Sequence, residues 1–186
     1  MRTKPQKFPL IATAAALVGL AVLGPAWRST EIIIVRNLSP SLPPGFYLVQ
    51  PSHNVSLGEI AVFRLPRDVL RKVGGRRWLA HPPLLIKPTA AVTGARVCHW
   101  PSSIRINGVR VGSTLLTDSD GLELPRIRGC YRIRRGWFLP LTNRIPNSFD
   151  GRYFGALPPS LLLGRAVPLL TWDLARASIL VGILRV

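Results

Sequence analysis

The chain has 186 residues, 47% of them hydrophobic, and Lys+Arg 25 against Asp+Glu 8 give it a formal charge of +17. That length carries one domain with an appendage. The basic residues are scattered rather than blocked and lack the aromatic signature of RNA binding, which argues against nucleic acid and leaves an anionic membrane surface or an acidic partner.

Arg2, Lys4 and Lys7 precede a charge-free run from Phe8 to Trp27, which as a helix would span about 30 Å, the thickness of a bilayer core. Residues 1–27 therefore read as a cytoplasmic basic tip and a single transmembrane anchor, with residues 28–186 as a domain on the outer side of the inner membrane, the periplasm. A cleaved signal peptide is the alternative, because the stretch from Ala12 to Ala21 is rich in small residues.

Glu31-Ile32-Ile33-Ile34-Val35 is β-branched and continuous, the pattern of a buried strand. It leads into Asn37-Leu38-Ser39-Pro40-Ser41-Leu42-Pro43-Pro44-Gly45-Phe46-Tyr47, where three prolines fix φ and Gly45 permits a close backbone approach. Ser41 is thus a rigidly presented hydroxyl, and the plain alternative is a proline-rich turn with solvated serines. Strands follow at 46–49 and 59–63. From Leu65 to Trp78 the chain is a basic helix or loop.

Pro83-Leu84-Leu85-Ile86-Lys87-Pro88 places one of only four lysines at the end of an apolar strand, in a chain whose other 21 cationic residues are Arg. Arginine keeps its proton in a protein, whereas a desolvated lysine can lose it; a strand-end lysine that snorkels to water is the alternative. Strand, turn and strand continue from Ala90 to Val97, and Ile104 to Val111 alternates across Asn107-Gly108 as a hairpin. Thr117 to Gly121 reads as an acidic turn rather than a calcium loop, since it lacks the ligand spacing and terminal Glu. Cys98 and Cys130 have no C-x-x-C spacing, and His53, His81 and His99 form no H-E-x-x-H, so no metal or other cofactor is implied. In an exported domain the two cysteines suggest one disulfide, with two buried free thiols as the alternative.

Strand character returns at Trp137–Leu141. In the polar loop that follows, Ser148, Asp150 and Arg152 alternate, so an extended backbone would project all three to one side, where Asp150 and Arg152 can pair. Alone this is no more than a surface salt bridge in a turn. The tail from Ser160 to Val186 is apolar but interrupted by charges, which suits a strand plus an amphipathic membrane-surface or packing helix.

Together, Ser-x-Pro-x-Gly-x-Tyr at Ser41 to Tyr47, the apolar-flanked Lys87 and Ser-x-Asp-x-Arg-Tyr-Phe-Gly from Ser148 to Gly155 resemble the bacterial type I signal peptidases, which are serine-lysine proteases. Within that family the chain is most similar to the TraF-type conjugative transfer signal peptidases, and the pair Cys98 and Cys130 also looks like theirs. The resemblance implies a mainly β, signal-peptidase-like catalytic domain. It implies Ser41 as nucleophile, Lys87 as general base and Ser148 as the hydroxyl that orients the lysine amine, with Asp150 and Arg152 holding that loop. Asp150 is also implied in transfer of the new C-terminus, and the Ser41 amide and Ser39 hydroxyl are oxyanion donors. The implied partner is an exported, pilin-like precursor, cleaved and in this branch open to cyclisation. An ordinary leader peptidase, or a catalytically silent envelope assembly protein, are the rival readings. The chain departs from the common pattern at Pro88 and Gly94-Ala95, where a basic residue and Gly-Asp are usual. It departs again at Leu141-Thr142-Asn143, which stands in place of Gly-Asp-Asn.

Overall fold

The computed structural model describes residues 33–79 and 83–172, which belong to one compact unit. The apolar run Phe8–Trp27, and the part of the tail expected to form an amphipathic helix, lie outside the described residues. Among the described residues no helix is long and apolar enough to cross a membrane.

The architecture is mainly β. One antiparallel sheet contains β1 (Ile33–Asn37), β2 (Gly45–Pro51), β3 (Ile60–Arg64), β4 (Leu84–Val92), β9 (Phe138–Pro140) and β10 (Leu162–Thr171), in the spatial order β1-β2-β10-β3-β4-β9. A second holds β5 (Arg96–Trp100), β6 (Ser103–Ile106), β7 (Val109–Ser113) and β8 (Gly129–Arg132), in the order β7-β6-β5-β8. There are also two short helices, α1 (Arg67–Val73) after β3 and α2 (Gly151–Phe154) after β9. Asn107 and Gly108 both have positive φ (50° and 87°), the backbone that an Asn-Gly hairpin turn requires.

Two expectations about strands are corrected. The β-branched run of β1 is not buried throughout: Ile33 and Ile34 are 43% and 53% exposed. Among the described residues it is an edge strand paired only with β2, so β-propensity signalled the strand while topology decided its exposure. Lys87 also does not end a strand, since β4 runs on through Pro88 to Val92. Backbone groups alternate sides along a strand. The Pro88 carbonyl accepts from Leu141 N–H on the β9 side, while Thr89 N–H keeps the β3 side of the ladder intact by donating to Glu59 O. The amide that Pro88 lacks would therefore face the margin just past the end of β9, whose last residue, Pro140, pairs with Thr89, the kind of position proline tolerates.

The basic segment after Leu65 does form a helix, but one face of it is apolar. Val69 and Val73 bury with Leu65 and Leu79. The strand expected in the tail is β10, which enters the sheet between β2 and β3. A Cβ on Gly164 would lie 2.4 Å from Gln50 O, so only glycine lets β10 pass β2 at this point. The sheet carries two separate apolar clusters, Tyr47, Val49, Val62 and Ile86 in one and Ala61, Phe63, Phe138 and Leu157 in the other, because Val62 and its neighbours on β3 point to opposite faces.

Candidate active site

The Ser41 turn connects β1 to β2 and is pinned from within. Asn37, at the end of β1, donates through Nδ2 to the carbonyls of Ser39, Leu42 and Pro43 at 3.0, 3.2 and 3.2 Å, and its Oδ1 accepts from Ser39 N–H. Tyr47 O–H donates to Pro43 O at 2.6 Å. Gly45 is required because a Cβ would lie 2.3 Å from Leu170 O. With the prolines restricting φ, the turn is fixed at both ends by buried hydrogen bonds.

Lys87 reaches this turn from β4. It is 5% exposed, and its Nζ lies 2.6 Å from Ser41 Oγ. Ser39 Oγ lies 2.6 Å from the same atom, so the Ser41 hydroxyl sits between an amine and a second hydroxyl. Burial lowers the Lys87 pKa from 10.5 to about 8; the nearby Asp150 carboxylate opposes that fall and the Arg152 guanidinium adds to it. A lysine in this state is a base near neutral pH, which an exposed ammonium is not.

Asp150 and Arg152 form a fully buried ion pair, with Nε to Oδ1 at 2.8 Å and Nη2 to Oδ2 at 3.2 Å. They do not alternate along a continuous extended segment as anticipated. Asp150 is extended but acts as the N-cap of α2, accepting from Arg152 N–H, and Arg152 already lies inside that helix. The remaining guanidinium hydrogens go to the carbonyls of Ser113, Pro146 and Thr142, so all five donors are used and the buried charge is satisfied. The Asp150 oxygens are taken by Arg152 and by Thr142 N–H, and the carboxylate acts on Lys87 through its field. Ser148 is buried as well, but its Oγ has no hydrogen-bond partner among the described residues, so the orienting bond to Lys87 is not made here. A buried hydroxyl left unpaired costs about 1–3 kcal/mol, which marks it as a group to be explained by function.

Thr142 carries a role that sequence reasoning missed. Its Oγ1 donates to Ser41 O at 3.0 Å and accepts from Arg144 N–H, while its own amide and carbonyl bind Asp150 and Arg152. It ties the ion pair to the backbone of Ser41. Read along the sequence, Thr142 was only a departure from a familiar pattern, and a buried threonine carries no signal of its partner 101 residues away. Asn37 was missed for the same reason, although a buried Asn closing a β-strand before a proline turn is a cue to a side chain that organises the turn.

Ser41, Lys87 and Ser148 open onto a cavity of about 560 Å³. Its apolar lining includes Leu38, Leu84, Ile86, Trp78, Leu115 and Phe149. Among the described residues the Lys87 end of β4 pairs with β3 alone, since its pairing with β9 begins only at Thr89. Among the described residues that strand edge has no partner, and Leu84 to Lys87 line the cavity. Cys98 and Cys130, directly opposite each other on β5 and β8, are disulfide-bonded. Among the described residues no group of three His, Cys, Asp or Glu side chains could hold a metal ion.

The model of the family described as signal peptidase, peptidase S26, matches residues 6–172. Among curated proteins, the conjugal transfer protein TraF of Agrobacterium fabrum is 32% identical, over 74% of this chain and 82% of its own. A probable conjugal transfer protein TraF of Sinorhizobium fredii is 29% identical over 92% of both chains. The conjugal transfer protein TraF of Agrobacterium tumefaciens is 33% identical, over 73% of this chain and 81% of its own.

Proposed function

The chain belongs to the signal peptidase family, peptidase S26, as a TraF-type member, and we propose that it is a serine endopeptidase whose nucleophile is Ser41 and whose general base is Lys87. The observation that carries this reading is the 2.6 Å separation of Lys87 Nζ from Ser41 Oγ in a buried site that lowers the lysine pKa to about 8. Neutral Lys87 takes the Ser41 proton as Oγ attacks the scissile carbonyl. The oxyanion is met by the Ser41 amide and the Ser39 hydroxyl, Lys87 returns the proton to the leaving amine, and an ester remains on Ser41. Lys87 then deprotonates the incoming nucleophile. Water gives a hydrolysed product; the precursor's own N-terminal amine gives a cyclic one. Ser148, whose hydroxyl has no partner among the described residues, orients the amine during these steps, and Asp150 and Arg152 hold its loop.

The substrate in this reading is an exported pilin-like precursor, consistent with relatives named for conjugal transfer. Residues 8–27 anchor the chain in the inner membrane, with the domain from residue 28 in the periplasm. A disulfide suits that compartment, and the exposed apolar side chains Ile33, Ile34, Leu169 and Leu170 on β1 and β10 suit a domain resting against lipid.

The test is processing of a pilin precursor by the full chain in detergent, with Ser41→Ala and Lys87→Arg as controls. The wild type should cut the precursor, and the intact mass of the fragment N-terminal to the cut, the one esterified to Ser41, should show whether it is short by one water relative to hydrolysis, the mark of cyclisation. Equal cleavage by Ser41→Ala would refute the assignment.

A further inference from the structure

The outer face of the four-stranded sheet carries a charge pattern that the proposed chemistry does not use. Along β5 the side chains alternate: Val97 and His99 are buried, while Arg96 and Trp100 are exposed with Cys98 half-buried between them. The register sets Arg132 of β8 directly opposite Arg96 and Cys130 opposite Cys98, with Arg105 of β6 opposite Cys98 on its other side. Arg110 of β7 stands opposite Arg105 in turn. All four arginines are exposed, and with Trp100 and the disulfide they share one face, because directly paired residues project to the same side of a sheet. Arg96, Arg105, Trp100 and the disulfide border a cavity of about 570 Å³, none of whose lining residues borders the cavity of Ser41 and Lys87.

Arg96 opposite Arg132 and Arg105 opposite Arg110 are two like-charged pairs, and like charges directly opposite each other weaken a sheet. No acid relieves them. Residues 96–113 and 129–135 contain six arginines and no Asp or Glu. Among the described residues Glu59, Asp118, Asp120, Glu123 and Asp150 pair with arginines elsewhere, and Asp68 lies on α1. Arg105, Arg110 and Arg132 donate once each, to Gly108 O, Ser113 Oγ and Gly94 O, which leaves most of each guanidinium fork open. Carboxylates set between the forks would relieve both repulsions at once.

Shape and compartment decide which polyanion fits. The disulfide is part of the face, and disulfides persist outside the cytosol, away from the nucleic acid of the cell interior. A lipid surface is planar, whereas these residues border a cavity, and the apolar side chains suited to lipid, Ile33, Ile34, Leu169 and Leu170, lie on β1 and β10 of the other sheet. An acidic polypeptide meets both conditions. In extended form its alternate carboxylates fall on one side, and Trp100, 54% exposed beside the arginines, supplies an apolar contact of the kind that, with Arg, most often anchors protein interfaces.

We propose that Arg96, Arg105, Arg110 and Arg132, with Trp100 at the end of β5, form a docking site for an acidic segment of a partner protein. The site is independent of the peptidase reading. A short dye-labelled peptide of alternating Glu and Ser is titrated into the full-chain Ser41→Ala protein, in neutral detergent at about 150 mM salt, beside its Lys-Ser counterpart. Single-stranded DNA of equal charge and phosphatidylglycerol in mixed micelles serve as competitors. The acidic peptide should bind and the basic one should not. Arg96→Ser combined with Arg105→Ser should weaken binding about tenfold or more. Arg67→Ser combined with Arg71→Ser, the same loss of charge at exposed positions of α1, should change it by less than about twofold, since separated surface charges are screened at this salt. Because the first double variant also relieves both like-charged pairs, its denaturant midpoint should be no lower than that of its parent. Absence of binding, equal weakening by the two double variants, or a stronger dependence on Arg96 and Arg105 for DNA or phosphatidylglycerol than for the peptide would each overturn the proposal.

Discussion

If Lys87 is the base, the pH dependence of the reaction follows from its burial. With the pKa lowered from 10.5 to about 8, the neutral fraction is about one-eleventh at pH 7, half at pH 8 and nine-tenths at pH 9, against roughly three in ten thousand at pH 7 for an unshifted lysine. kcat/KM should therefore rise about tenfold for each step in pH below 7, by only about twofold from pH 8 to 9, and level off above that. Lys87→Arg keeps a cation that cannot accept a proton, so it should lose at least about a hundredfold at every pH. The sign for stability runs with the activity. Between about pH 8 and 10.5 the unfolded chain holds a proton at Lys87 that the folded one has released, so stability from this group rises with pH across that window. Below it the folded protein carries a buried ammonium at a cost of about 3 kcal/mol. Lys87→Met should accordingly be inactive yet no less stable at pH 7, and its denaturant midpoint should lose the rise above pH 8. The assay is initial-rate cleavage of a precursor peptide from pH 6 to 10, with circular dichroism at each pH to certify folding. A rate that still climbs tenfold between pH 8 and 9 would refute the lowered pKa, and near wild-type activity in a folded Lys87→Arg protein would refute the dyad.

Thr142→Val keeps the shape and removes the hydroxyl that holds Ser41 O; it should lower kcat about tenfold with KM little changed, and Thr142→Ser should restore it, since the bond positions the nucleophile rather than the substrate. Asp150→Asn leaves the Arg152 charge buried without its counter-ion and should cost about 3–5 kcal/mol in denaturant unfolding; an effect below about 1 kcal/mol would mean that the pair is not what holds the loop. Reduction of Cys98–Cys130, which closes a loop of sequence separation 32, should lower stability by about 3–4 kcal/mol. In the oxidised full chain neither thiol should alkylate until reductant is added, and equal labelling with and without it would contradict the bond.

Local chemistry was legible along the chain. β-branched runs marked strands, Asn107-Gly108 marked its turn, and the prolines around Ser41 and the rarity of lysine singled out residues that the fold then brings together. Those signals lie within a few residues of one another, where sterics and backbone preference act directly. The sequence could not place β10 between β2 and β3, or leave Ile33 and Ile34 exposed on an edge, because strand order depends on which distant edges find partners, and both arrangements have the same local pattern. It was equally silent on Thr142 and Asn37, because a hydroxyl or an amide shows its purpose only when burial takes away water and leaves one partner. The lysine is the clearest case. Its identity was written in the sequence, but its readiness to act as a base comes from the sheet that removes it from solvent and sets its amine 2.6 Å from a serine 46 residues away, and desolvation is a property of the assembled interior.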